Sequence, residues 1–160
     1  MNIILKNIDE AGKKIAVLDH LLSVTFSLIK DKKILLKVAD ENADALKKLM
    51  SAILQYEYLK KRIRLSVSPE ANLKIFVDIC APRYGFSEED VRTALESIAF
   101  SKKHLSSSMA FLRGEKIVVL NSGSSTTILT YEKTRRFVQC SKSLLSKFKD
   151  RIKFDTLRKV

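Results

Sequence analysis

Ile8, Ala11, Ile15, Leu18 and Leu22 stand three to four residues apart, the spacing of one helical face. Asn7 in front of them, with Glu10 three residues on, is a capping start, and the pattern predicts a helix over 8–22 in spite of Gly12. The apolar run at 2–6 reads as a first or edge strand. Over 23–30 Val24, Phe26 and Leu28 alternate with Thr25 and Ser27, and after the polar corner Asp31-Lys32 a second β-rich run covers 33–39, so a hairpin is expected. The longest helix is predicted over 40–61, its buried face drawn by Leu46, Leu49, Met50, Ile53, Leu54 and Leu59. Lys60, Lys61 and Arg62 suit the negative end of its dipole.

A short strand is expected at 63–67. The next segment is mixed: Ile75, Val77 and Ile79 are β-branched, but Ser68-Pro69-Glu70 opens a helix and Leu73, Phe76, Val77 and Cys80 keep helical spacing. The reading is a helix over 69–80, ended by Pro82, with a strand as the competing reading. Ser87 and Asp90 form a capping box, Phe86 and Val91 a hydrophobic staple, and Val91, Ala94, Leu95, Ile98 and Ala99 the apolar stripe of the following helix. A β-prone pair, 109–120 and 126–131, is linked by Asn121-Ser122-Gly123-Ser124-Ser125. The pair of helices within 69–100 has the outline of a helix-turn-helix with a wing, although a corner over 81–86 exceeds the usual 3–4-residue turn. With 160 residues the chain is expected to form a single α+β domain over 1–160, with short strands and hairpins packed against about five helices. A basic amphipathic helix over 132–153 and a basic tail over 154–160 close it.

Charge changes the picture at that end. From 133 to 160 ten Lys and Arg face only Asp150 and Asp155, which places +8 of the net +12 in the last 28 residues. On a helical wheel Phe137, Leu144, Leu145, Phe148 and Ile152 share one arc, with Val138 at its border and Ser141 inside it. Arg135, Lys142, Lys149 and Lys153 line one flank of the arc; Lys133, Arg136, Lys147 and Arg151 line the other. Such a localised field attracts polyanions, and dispersed cations on a helix flank suit phosphates without demanding exact geometry. The flank of Arg136, Lys147 and Arg151 is favoured as the more important, because Lys133 extends that row. Membrane-surface binding fits poorly: the helix has no Trp and carries Ser141 in its apolar arc. Lys60, Lys61, Arg62 and Arg64, beside Tyr56 and Tyr58, form a second basic spot with aromatic faces for bases to stack on; the competing reading, and the favoured one, is that the tyrosines finish the helix's buried face.

Catalytic signatures are missing. The chain has no GxxxxGK[ST] or GxGxxG, its four glycines are isolated, and the stretch around Gly123 reads as a hairpin turn. His20 and His104 lack metal-ligand spacing, Cys80 and Cys140 lack the paired spacing of zinc or redox motifs and read as buried thiols, and Glu88, Glu89 and Asp90 read as an acidic first turn. Arg136-Phe137-Val138 lacks the glycine of the aromatic strand motif of RNA-recognition motifs, and no GxxG loop marks a KH domain. No metal or cofactor is expected. Neither a signal peptide nor a membrane span is legible, so a cytoplasmic location is expected. Abundant Lys, Ile and Leu with few Gln, Gly and Pro are compatible with a heat-adapted source. The function expected is non-catalytic nucleic-acid binding, with RNA or a ribonucleoprotein ahead of duplex DNA. The alternatives are a non-catalytic subunit that docks on an acidic protein partner, and a DNA-binding regulator built on 69–100.

Overall fold

In the computed structural model, which describes residues 1–121, 123 and 125–158, the first helix begins at the second residue. Helix α1 (Asn2–His20) continues through a π-helical turn (Leu21–Thr25) and a closing turn (Phe26–Ile29). Lys30 stops it in the left-handed region (φ 56), and Asp31 Oδ1 accepts from the Lys33 amide (3.0 Å) as α2 (Lys33–Leu59) starts. The strand expected at 2–6 and the hairpin expected over 23–39 are therefore helical. Ile4 lies one turn before Ile8 on the same buried face, which extends the helix into the apolar run. The alternation at 23–30 does not track burial, since Leu28 is 80% exposed. Leu18, Leu22, Leu35, Val38 and Ala39 decide this region: at helical spacing, they are buried in one cluster. Ser23 and Ser27 hydroxyls donate to the carbonyls four residues back, so the polar half of the apparent alternation is satisfied within the helix. The corner at Asp31-Lys32 is real, but it joins two helices.

The segment 63–67 forms no strand. Its Ser66 backbone is satisfied instead by Asn72, whose Oδ1 accepts from Ser66 N (2.8 Å) and whose Nδ2 donates to Ser66 O (2.9 Å). Helix α3 (Pro69–Ile75), capped by Ser68, runs on through a π turn (Phe76–Cys80) into Ala81–Tyr84. Pro82 thus does not end it. The Ala81 N–H reaches back to Phe76 O, and this wide turn makes room for a proline ring that a regular turn would press against the carbonyl four residues back. Gly85 in the left-handed region (φ 72) is the actual stop. The corner to α4 (Glu88–Leu105) is then three residues long, shorter than the sequence suggests. The capping box at Ser87 and Asp90 is formed, with bonds of 3.0 and 3.4 Å. The buried face of α4 is rotated from the expected stripe: Thr93, Ala94, Ser97, Phe100 and Ser101 point inward, and Ala99 is exposed. Small and hydroxyl residues fit there because Asn42 of α2 reaches across to Ser97 Oγ (3.3 Å).

Strands β1 (Met109–Arg113), β2 (Lys116–Leu120) and β3 (Thr126–Leu129) form one antiparallel sheet in that order. Gly114 (φ 63) splits the run expected over 109–120 into a hairpin that pairs Phe111 with Val118. Of the linker between β2 and β3, Ser122 and Ser124 lie outside the described residues. Central β2 buries Ile117, Val118 and Val119, with Ile117 and Val119 in the cluster of Leu18, Leu35, Phe100 and Phe137, while β1 is an exposed edge. Thr130 caps helix α5 (Tyr131–Leu157), whose side-chain oxygen accepts from Lys133 N. The helix includes the first four residues of the expected tail; Lys159 and Val160 lie outside the described residues. A second cluster, centred on Leu46, Leu49, Ile53, Tyr56, Phe76 and Phe148, ties α1, α2, α3 and α5 together. The chain is an α+β protein of five helical rods and one small antiparallel sheet.

Candidate nucleic-acid interface

Helix α5 seats its apolar arc as the wheel requires. Phe137, Val138, Leu144, Leu145 and Phe148 are buried and Ile152 is half-buried. Ser141, the polar interruption in that arc, is buried too, and its hydroxyl donates to Asn42 Oδ1 (2.7 Å) while Asn42 Nδ2 donates to Phe137 O (3.1 Å). This satisfied polar knot fixes the rotation of α5 against α2.

The two cationic flanks then meet different surroundings. Arg135, Lys142, Lys149 and Lys153 are exposed and form the outward crest, with Gln139 and Ser146 exposed between them. Their internal partners are few. Lys142 Nζ pairs with Asp19 of α1 at 3.0 Å, and Arg135 stands 4.0 Å from Glu132. Lys149 Nζ lies 3.6 Å from the point a Cβ on Gly12 would occupy, so this stretch of the crest runs beside α1. The other flank leans on the protein. Lys133 pairs with Glu96 (3.2 Å) and donates to Ile128 O (3.1 Å), and Lys147 holds Asp90 (3.2 Å) and Gly85 O (3.1 Å). Arg151 sits 3.6 Å from Asp155, and of these four cations Arg136 alone is exposed. The flank favoured by the sequence thus spends two of its cations on holding α5 to α4, the corner and β3.

The second basic spot divides in a similar way. Lys61, left-handed at φ 59, and Arg64 are exposed; with Tyr58, Leu59 and Ile63 they line a hollow of about 460 Å³. Lys60 lies over the Tyr56 ring, 5.6 Å from its centre. Tyr56 offers no stacking face to a base: it is buried and its hydroxyl donates to Asp155 (2.8 Å). Arg62 is an internal group, donating to Glu57 (2.9 Å) and Asp155 (2.8 Å). Burial pushes its guanidinium down, but Asp155 and Glu57 outweigh that and hold it above its ordinary value. Conversely, burial pushes the Asp155 carboxyl up, and hydrogen bonds from Arg62 and Tyr56, with the charges of Arg62 and Arg151, bring it below the usual range. Asp155 is the joint through which the end of α5 meets the second spot.

Sequence reasoning missed the centre of this joint, Glu57. Its side chain is 0% exposed and accepts from Arg62, from Arg83 Nη1 (2.6 Å) and from the Tyr84 hydroxyl (2.6 Å). Burial, reinforced by the Glu57 carboxylate, pushes the Tyr84 phenol well up. A signal was present: Glu57 follows Leu46, Met50 and Ile53 at intervals of four, three and four, on the helix's apolar face.

The remaining candidates have structural partners or stand alone. His104 Nδ1 is 2.8 Å from Asp40 Oδ2, its ring stacked on Phe100, and His20 is exposed. Cys80 and Cys140 are free and buried, and burial with a nearby carboxylate pushes the thiols up to about 11 and about 12, away from nucleophilic use. Among the described residues no group of three His, Cys, Asp or Glu is placed to hold a metal, and no helix is long and apolar enough to cross a membrane. A hollow of about 590 Å³ between α3 and α4 is lined mainly by Val77, Ala81, Pro82, Phe86, Val91 and Leu95, away from the cationic crest. Comparison with known proteins finds no family, no curated protein and no solved structure that matches this chain.

Proposed function

We propose that this protein binds nucleic acid without catalysing a reaction, through the crest of α5, and that its partner is RNA or a ribonucleoprotein in the cytoplasm. The observation that carries this reading is the line of Arg135, Lys142, Lys149 and Lys153, all exposed on one side of a docked helix with Gln139 and Ser146 between them. At ~1.5 Å per residue the line spans ~27 Å, long enough to follow several consecutive phosphates. Lys149 and Lys153 repel one another at i,i+4, a small cost that a polyanion relieves. Lys61 and Arg64, exposed just past the end of α2, add a second positive patch.

Duplex reading by α3 and α4 is the weaker alternative despite their three-residue corner. A DNA-reading second helix points its first residues at base edges between phosphates, and here those residues are Glu88, Glu89 and Asp90, of the wrong sign.

The test is fluorescence anisotropy with RNA and DNA probes of one length over a salt series. Four crest contacts give a log–log salt slope of ~3 for single strands at ~0.7 per phosphate. The triple change Arg135→Gln, Lys142→Gln, Lys149→Gln is expected to lower that slope by about two, while Lys133→Gln leaves it unchanged. Absence of binding at low salt, or an unaltered slope in the triple variant, would refute the reading and move the crest to the remaining alternative, docking on an acidic protein surface.

A further inference from the structure

Where α5 passes the end of α3, Arg83, Tyr84, Lys147, Asp150, Arg151 and Phe154 line a cleft of about 420 Å³. Three cations and an outward aromatic ring share it. Phe154 is 49% exposed, an unusual position for phenylalanine on a helix this basic, and the guanidinium carbons of Arg151 and Arg158 lie 5.7 and 5.4 Å from its ring centre. Arg83 is held from behind: one nitrogen donates to buried Glu57, and its other donors remain for a ligand. Arg151 has donors to spare. Its Nε is buried against Asp155 at 3.6 Å, but its terminal nitrogens make no hydrogen bond among the described residues and are not buried. A guanidinium anchored through Nε keeps two terminal donors for a phosphate, which accepts from such a fork.

We propose that this cleft takes one phosphate of single-stranded RNA between Arg83 and Arg151, with the adjoining base displacing the Arg158 guanidinium from the Phe154 ring. The proposal rests on the nucleic-acid reading and adds to it a strand state and a sugar. Unpaired bases are required because a base inside a duplex cannot present its face to a side chain. Asp150 selects the sugar. Among the described residues it is the one acid lining the cleft, and a ribose 2′-hydroxyl offers it a donor that deoxyribose lacks.

The test uses the intact protein and short oligouridylates carrying one 2-aminopurine, whose fluorescence is quenched on stacking. Phe154→Leu is expected to weaken binding of the single strand about ten-fold and abolish the quench, while duplex RNA of the same length changes less than about two-fold. Arg151→Gln is expected to lower the salt slope by about one. Asp150→Asn is expected to reduce the preference for RNA over the matching DNA. Phe154 is half-exposed and leucine keeps its apolar character, so folding survives that change, and thermal melting of each variant verifies it. If Phe154→Leu and Arg151→Gln bind as the parent does while the crest triple variant loses affinity, the cleft assignment is overturned and the nucleic-acid reading stands. If the parent binds no oligonucleotide, both fall; if it binds DNA and RNA equally, the role of Asp150 is refuted.

Discussion

Glu57→Gln is the perturbation for which the structure gives the clearest magnitude. The carboxylate is 0% exposed and accepts three short bonds, from Arg62 (2.9 Å), Arg83 (2.6 Å) and Tyr84 (2.6 Å). Glutamine keeps the volume but removes the charge, and its NH2 must face a donor, so at least one bond becomes a repulsion. Removing one partner of a buried ion pair costs about 3–5 kcal/mol. Arg62 and Arg83 retain 24% and 30% of their side-chain exposure and can rehydrate, which selects the lower end, about 3 kcal/mol. For a chain of this size, at about 2–4 °C per kcal/mol, the melting temperature falls by about 6–12 °C. Tyr84→Phe removes one bond to a charged acceptor that keeps its other two, and should cost about 1.5 kcal/mol. Urea unfolding followed by far-UV circular dichroism measures both. The midpoints shift while the slope stays constant, and the double variant should fall short of additivity by about 1 kcal/mol, because the hydroxyl matters less once the charge has gone. A loss under about 1 kcal/mol for Glu57→Gln, or a larger loss for Tyr84→Phe, would refute the view that this carboxylate fastens the ends of α2, α3 and α5.

Gly12→Ala is expected to stabilise the protein by about 0.5–1 kcal/mol: Gly12 is interior to α1, and a Cβ there meets Leu145 Cδ2 at 3.5 Å and Lys149 Nζ at 3.6 Å, ordinary contact distances. A lowered urea midpoint would show that α1 and α5 pack more tightly there than those distances indicate. Asp155 gives a pH signature, since its folded-state carboxyl titrates below the ordinary 3.8. Its contribution is fully present above that ordinary value and is lost as pH falls through the lowered one, because the unfolded chain then binds more protons. The stability difference between the parent and Asp155→Asn should therefore be widest near neutrality and narrow below about pH 4; a difference that is constant down to pH 3 would contradict the pairing with Arg62 and Tyr56.

What the sequence could show depended on whether a feature is local. The faces of α1 and α5, and that of α2 apart from Leu59, which is 51% exposed, were legible because periodicity at 3.6 residues survives over many turns, and the capping box at Ser87 because its partners lie three residues apart. The 23–39 region misled because alternation over a few residues is shared by strands and by helices with serines bonded to their own backbone; the deciding contact, Leu22 and Leu35 buried in one cluster, crosses the corner. Pro82 misled because the π turn that accommodates it has no signature in residue type. The cations could be counted, but their partners could not. Asp19, Glu96 and Asp90 come from α1 and α4 to pair with Lys142, Lys133 and Lys147, the first across 123 residues of sequence.

A helical wheel knows the angle of each side chain and nothing of what stands at that angle, so it draws the two flanks of α5 as equivalents. Docking breaks the equivalence. The knot of Asn42, Ser97 and Ser141 sets the rotation that turns Lys133 and Lys147 onto acids of α4 and leaves Arg135, Lys149 and Lys153 facing outward. The same rotation carries Arg151 and Phe154 to the end of α3, beside Arg83, which Glu57 holds from behind. A surplus of positive charge at one end of a chain thus becomes two distinct surfaces: an exposed cationic crest, and a cleft where a guanidinium anchored on Asp155 stands next to an exposed ring. A ligand that needs only charge is served by the crest alone. On the proposed function, one that also has a free base and a hydroxyl-bearing sugar would use both, which is the ground for proposing single-stranded RNA over a duplex.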